Sequence, residues 1–77
     1  MPKLVPIKPK ILVKILLALG FIQRDAQGSH VFFGHVDGRT TVMPIYNREL
    51  SKGLLRKIIN DIQLSVAEYD VLRRKFK

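Results

Sequence analysis

The chain has no cysteine and no tryptophan, and its 77 residues include only two histidines and six acidic residues. Without cysteine there is neither a disulfide framework nor a thiolate metal site, so burial of apolar surface must hold the fold together. A zinc site draws three or four ligands from Cys, His and carboxylates, and two histidines among scattered acids form no such spacing. The carboxylates are too few and too dispersed for a nuclease that works through bound magnesium. The glycines at positions 20, 28, 34, 38 and 53 match neither the dinucleotide-binding nor the nucleotide-loop pattern. No metal and no small-molecule cofactor is expected.

Long apolar runs are also missing. The longest stretch, Ile15 to Leu19 with Gly20 to Ile22 behind it, falls far short of the roughly 18–20 residues that cross a bilayer. The N-terminal lysines and prolines lack the apolar segment and cleavage site of a secretory signal. The expectation is a cytoplasmic protein with no membrane partner.

What the chain does have is positive charge. Fourteen Lys and Arg against six Asp and Glu give a formal net charge of +8. A field of that size favours polyanions, whose condensed counterions are released on binding. Nucleic acid is the leading partner class, with acidic proteins and anionic lipid as the other readings. The charge is uneven: Lys3, Lys8, Lys10 and Lys14 occupy residues 1–19 without an acid, and a second basic group begins at Arg48. The basic surface should therefore come from the two ends of the chain.

Periodicity predicts one small α+β domain over residues 1–77. Pro2, Pro6 and Pro9 make residues 1–8 an extended arm, with a helix beginning at or just after Pro9. Leu12, Ile15, Leu16 and Leu19 form the apolar stripe of that helix, and Gly20 is its left-handed stop. Phe21–Asp25, His30–Val36 and Arg39–Met43 read as three antiparallel strands, with Asp37-Gly38 as a hairpin turn. Leu55, Ile58, Ile59 and Ile62 repeat the helical stripe. Ser65-Val66-Ala67-Glu68 then has capping-box spacing and opens a last helix. In it Val66, Tyr69, Leu72 and Phe76 can face inward, while Arg73, Arg74, Lys75 and Lys77 crowd the end. The order is α-β-β-β-α plus a C-terminal helix, with helices covering one face of a three-stranded antiparallel sheet.

The residues left for chemistry are Gly28-Ser29-His30. An imidazole that titrates near neutrality can take the proton of a ribose 2′-hydroxyl, which then attacks the adjacent phosphate. Gly28 would let backbone approach a phosphate, and Ser29 could donate to one of its oxygens. The plainer alternative is that Gly28-Ser29 closes a turn and His30 caps a strand. His35 is a weaker candidate: it lies an odd number of positions from His30, so in a regular strand the two point to opposite faces. Only a bulge at Gly34 would bring them together. Lys52, Arg56 and Lys57, off the apolar stripe of the second helix, are candidates for contacts to a nucleic-acid backbone.

Taken together, Gly20-Phe21, Gly28-Ser29-His30, Asp37-Gly38-Arg39, Val42-Met43-Pro44 and the run Glu49 to Ile59 resemble the HicA family of toxin ribonucleases, from about Lys8 to Tyr69. The resemblance implies a double-stranded-RNA-binding-domain-like fold. It implies a metal-independent mRNA interferase whose essential residue is His30, and a HicB-type antitoxin that covers the active surface. Family members often carry a second histidine after the proline that ends the third strand; here Tyr46 stands in its place. A phenol with an ordinary pKa near 10 is a poor proton shuttle at neutral pH, so Tyr46 is a candidate for stacking or hydrogen bonding to RNA. It also fits a half-buried rim residue. The alternative function is an RNA-binding module of the same fold that does not cleave.

Overall fold

The computed structural model describes residues 3–76, so Pro2 and Lys77, named above, lie outside it. The element order is α1 (Pro9–Ala18), β1 (Ile22–Gln27), β2 (His30–Gly34), β3 (Thr40–Pro44), α2 (Lys52–Asp61) and α3 (Val66–Phe76). The α+β architecture read from the sequence is the one observed.

α1 starts on Pro9, whose missing N–H costs nothing at a helix N-terminus. It ends where Gly20 adopts φ +96°: the Gly20 N–H donates to the Leu17 carbonyl and the Phe21 N–H reaches back to Leu16. The first strand begins one residue later than the pattern suggested. Phe21, expected in the strand, instead turns into the core at 1% exposure, and β1 runs on to Gln27. The apolar residue that follows a helix-stopping glycine commonly folds back against the helix, and here that contact displaces the strand start.

The sheet order is β1-β2-β3, antiparallel throughout. Gln27 pairs with His30 across Gly28-Ser29, so the first turn is a two-residue hairpin loop. Gly28 has φ +61° and Ser29 does not share that sign, the arrangement in which glycine is required at the first loop position. Asp37-Gly38 turns the second hairpin, as its sequence predicted. The Gly38 N–H donates to the His35 carbonyl, and the His35 N–H to the Arg39 carbonyl. Arg39 in turn bonds the Asp37 carboxylate, 2.8 Å from Nε. The backbone N–H of Arg39, followed by its guanidinium, holds the Asp37 carboxyl below its ordinary pKa. β2 ends at Gly34 rather than Val36, and His35 bridges the strand end and the Asp37-Gly38 turn.

One face of the sheet is covered. Phe33 and Met43 point into a core with Leu12, Ile15 and Leu16 of α1, and with Leu55, Ile58 and Ile59 of α2. α3 closes the core with Tyr69. The Ser65 side chain receives the Glu68 N–H at 3.1 Å, and the Glu68 carboxylate receives the Ser65 N–H at 3.0 Å, which completes the expected capping box. Val66, Leu72 and Phe76 pack against the same core. The arm is tied down at two points: the Leu50 N–H donates to the Ile7 carbonyl and the Tyr69 hydroxyl donates to the Val5 carbonyl. No described helix is long and apolar enough to cross a membrane.

Candidate functional site

β2 sorts its side chains by parity. Val31 and Phe33 face the helices, and so His30, Phe32 and Gly34 face away from them. Across the ladder His30 pairs with Gln27 of β1 and Pro44 of β3, and Phe32 pairs with Asp25 and Val42. His30 is exposed, and no hydrogen bond engages its imidazole among the described residues. The Ile45 N–H donates to the Ser29 carbonyl at 2.6 Å, which extends the β2–β3 pairing past the strand end and fixes the turn that carries Gly28 and Ser29. A Cβ built on Gly28 would meet nothing within 4 Å. That glycine is therefore required by its backbone angle, and it leaves an uncovered loop next to the imidazole.

His35 is held differently, on the far side of the parity rule. Nε2 donates to the Leu19 carbonyl at 3.1 Å, and Nδ1 faces both the Asp37 N–H at 3.1 Å and the Asp37 carboxylate at 3.0 Å. Its ring meets Phe21 edge-on, with centroids 5.0 Å apart. His35 ties the end of β2 to the end of α1 and is a structural residue. The two histidines do not form an acid–base pair.

The ladder does contain an irregularity, but in β1 rather than at Gly34. The register shifts between Gln23 and Asp25, leaving Arg24 as the extra residue of a bulge. Arg24 lies across Gly34, whose added Cβ would come within 2.9 Å of Nε and 3.2 Å of Cγ. Gly34 is needed for this crossing, and the guanidinium is thereby laid on the open face of the sheet.

The candidate backbone contacts on α2 separate into two groups. α2 runs back along β3, since the Thr41 hydroxyl donates to Asp61 at 3.0 Å and Arg39 reaches the Ile62 carbonyl. Its first turn therefore lies at the end of the sheet that carries His30. Ser51 caps that turn by accepting the Leu54 N–H at 3.2 Å. Lys52 and Arg56 line a groove of about 570 Å³ with Lys3 and Leu4 of the arm. Lys57 is elsewhere: its ammonium is 3.0 Å from Asp61, one turn along, and it borders the sheet edge. Tyr46 is half-buried against the core, with the Arg48 guanidinium 4.7 Å above its ring. That placement matches the rim-residue reading and leaves one ring face taken.

Three of the six acids are committed to ion pairs. Asp37 pairs with Arg39, Asp61 with Lys57, and Asp70 with both Arg73 and Arg74. One carboxylate thus holds two members of the C-terminal basic cluster and leaves the trio with a net positive charge. Among the described residues, Arg24, Lys52 and Arg56 have no carboxylate partner. No three His, Asp or Glu side chains are gathered as a metal site among the described residues.

Against this geometry, the family model described as HicA toxin of bacterial toxin-antitoxin matches residues 9–64. The chain belongs to the HicA toxin family. The match spans α1 through α2, including the Gly28-Ser29-His30 turn, and stops before α3. No curated protein matches the chain. Membership in a toxin–antitoxin family implies an antitoxin partner for this HicA toxin. Sequence reasoning missed Phe32 and Arg24 on the open face. Phe32 was accessible to it, since two residues from His30 along a strand is the same face; Arg24 was not, because the bulge that turns it there has no local signature.

Proposed function

We propose that this HicA toxin is an mRNA interferase in which His30 acts as general base without a metal ion. The imidazole takes the proton of a ribose 2′-hydroxyl, and that oxygen attacks the adjacent phosphorus. The bond from phosphorus to the 5′-oxygen breaks, and the leaving oxygen takes a proton from solvent. The products are a 2′,3′-cyclic phosphate and a 5′-hydroxyl. The observation that carries this reading is an exposed, unengaged histidine beside an uncovered glycine turn, in the part of the chain that the family model matches. Gly28 and Ser29 would hold the phosphate, and Lys52 and Arg56 would contact the backbone from the α2 start, with Lys57 and Tyr46 as outer contacts. A HicB-type antitoxin would neutralise the toxin by covering His30, and both would act in the cytoplasm.

Positioned acid–base catalysis contributes about 10²- to 10⁴-fold. His30→Ala should therefore lower cleavage of single-stranded RNA at least a hundredfold and abolish growth arrest on induction, with chelator present throughout. Cleavage by His30→Ala at the wild-type rate would refute the mechanism. A second reading, a binding module that does not cleave, is favoured by Tyr46: it stands where the family resemblance places a second histidine, and Arg48 already covers its ring. In that case RNA is recovered uncut, with affinity that falls steeply as salt is raised.

A further inference from the structure

The open face of the sheet holds one aromatic ring. Phe32 is 37% exposed, a high value for a phenylalanine at the centre of a three-stranded sheet, and it takes no part in the core. It is two residues from His30 on the same strand and face, about 7 Å away along the strand. On its other side, Arg24, Thr40 and Val42 border a shallow depression of about 390 Å³ that Phe32 itself lines, and the Lys57–Asp61 pair closes it at the sheet edge. Arg24 has no carboxylate partner among the described residues and is held over this face by the bulge and by Gly34. An exposed aromatic with an unpaired guanidinium beside it and a histidine two residues away complements a nucleobase joined to its phosphates, with the Asp25 carboxylate across the ladder on the side away from β3.

We infer that Phe32 is a stacking platform for the base of a nucleotide whose ribose lies at His30, with Arg24 contacting the flanking phosphate, and that the substrate is consequently single-stranded. This rests on the reading of His30 as the RNA-cleaving residue. The physical reason for the strand preference is access. A base inside a duplex has both faces covered by its neighbours, whereas an unpaired base can turn a face to an aromatic ring. The spacing allows one nucleotide to put its base on the Phe32 ring and its 2′-hydroxyl at the imidazole. Phe32 would thus be a binding residue with no part in proton transfer, and stacking tolerates any base, so it would contribute affinity more than sequence preference.

The test uses the full chain in a His30→Ala background, which binds without cutting. The probe is a short unstructured oligoribonucleotide, alone or annealed to its complement. Since the chain has no tryptophan, Phe32→Trp adds a single reporter whose fluorescence should be quenched by the unpaired strand and much less by the duplex. Phe32→Leu should weaken binding of the single strand by about 5- to 150-fold, the range expected for losing one stacked base. Phe32→Tyr should stay near wild type, which separates stacking from damage to the fold. In cleavage by the His30 protein, Phe32→Leu should raise KM more than it lowers kcat. Unchanged affinity in Phe32→Leu, with His30→Ala still inactive, overturns the platform and leaves the nuclease reading standing. Intact RNA binding but lost neutralisation by the antitoxin would assign this face to a protein partner and overturn it as well. If the wild-type chain neither binds nor cuts RNA, both readings fall.

Discussion

The two histidines should answer to different assays, and His35→Ala is the sharper test. The substitution removes the bond from Nε2 to the Leu19 carbonyl, the acceptor for the Asp37 N–H, and the edge-on contact with Phe21. Each hydrogen bond is worth a net ~0.5–1.5 kcal/mol, and an aromatic edge contact a similar ~0.5–1.5 kcal/mol. Water can reach part of this corner, where the His35 side chain is 17% exposed, so the lower half of the sum is the better estimate, about 1.5–3 kcal/mol. For a domain of this size each kcal/mol moves Tm by about 4–8 °C. His35→Ala should therefore melt roughly 10–20 °C below wild type by circular dichroism and unfold at lower urea. His35→Gln, whose amide can still reach the Leu19 carbonyl, should fall in between. His30→Ala removes a side chain with no partner, and its Tm should stay within about 3 °C of wild type, as for most exposed substitutions. A His35→Ala protein that melts like wild type would refute the structural role assigned to this residue. A His30→Ala protein that melts like His35→Ala would instead show that loss of activity reports misfolding.

Two other predictions concern α3. Burial pushes the Tyr69 phenol up to about 12, so the folded state holds it neutral more tightly than the unfolded chain does. The sign follows: this stabilisation is complete below pH 10 and is lost as pH rises from 10 to about 12, so urea midpoints should fall over that window. In Tyr69→Phe that part of the alkaline loss should disappear, at a constant penalty of about 1 kcal/mol for the missing bond to Val5; equal alkaline slopes in the two proteins would contradict it. Ser65→Ala should destabilise by about 1 kcal/mol through loss of the cap, and acid titration should then show the Glu68 carboxyl moved only part of the way back to its ordinary pKa, because the backbone N–H of residue 65, the larger cause of the lowered pKa, stays and only the hydroxyl is lost. No change in either measurement would mean that the capping box is not formed in solution.

Local chemistry made most of the fold legible in the sequence. The apolar stripes of α1 and α2, the stop at Gly20, the Asp37-Gly38 turn and the Ser65–Glu68 cap each depend on residues within a turn or two of one another. Each is found where its pattern places it. The displaced strand ends differ in cause: Phe21 follows the helix-stopping Gly20 and folds back on α1, a local pattern, whereas His35 is drawn to the Leu19 carbonyl sixteen residues away, a pull that its neighbours do not show.

The site divides along the same line. The sequence by itself determined the excess of positive charge, the glycine-dependent turn before His30, and, through strand parity, the separation of His30 from His35. It also marked the family, through motifs kept in order along the chain. The pairs Lys57–Asp61 and Arg73–Asp70 are local as well, at i,i+4 and i,i+3 spacing on their helices, whereas only the tertiary structure decided that Thr41 bonds Asp61 and that Arg39 reaches the Ile62 carbonyl. It likewise decided that Lys52 and Arg56 share a groove with the arm while Lys57 does not. And it alone decided that a bulge lays Arg24 over Gly34, on the face that His30 and Phe32 share. Parity is a property of a strand and can be counted along the chain; which face the helices cover, and what crosses the other one, is settled only when the elements pack.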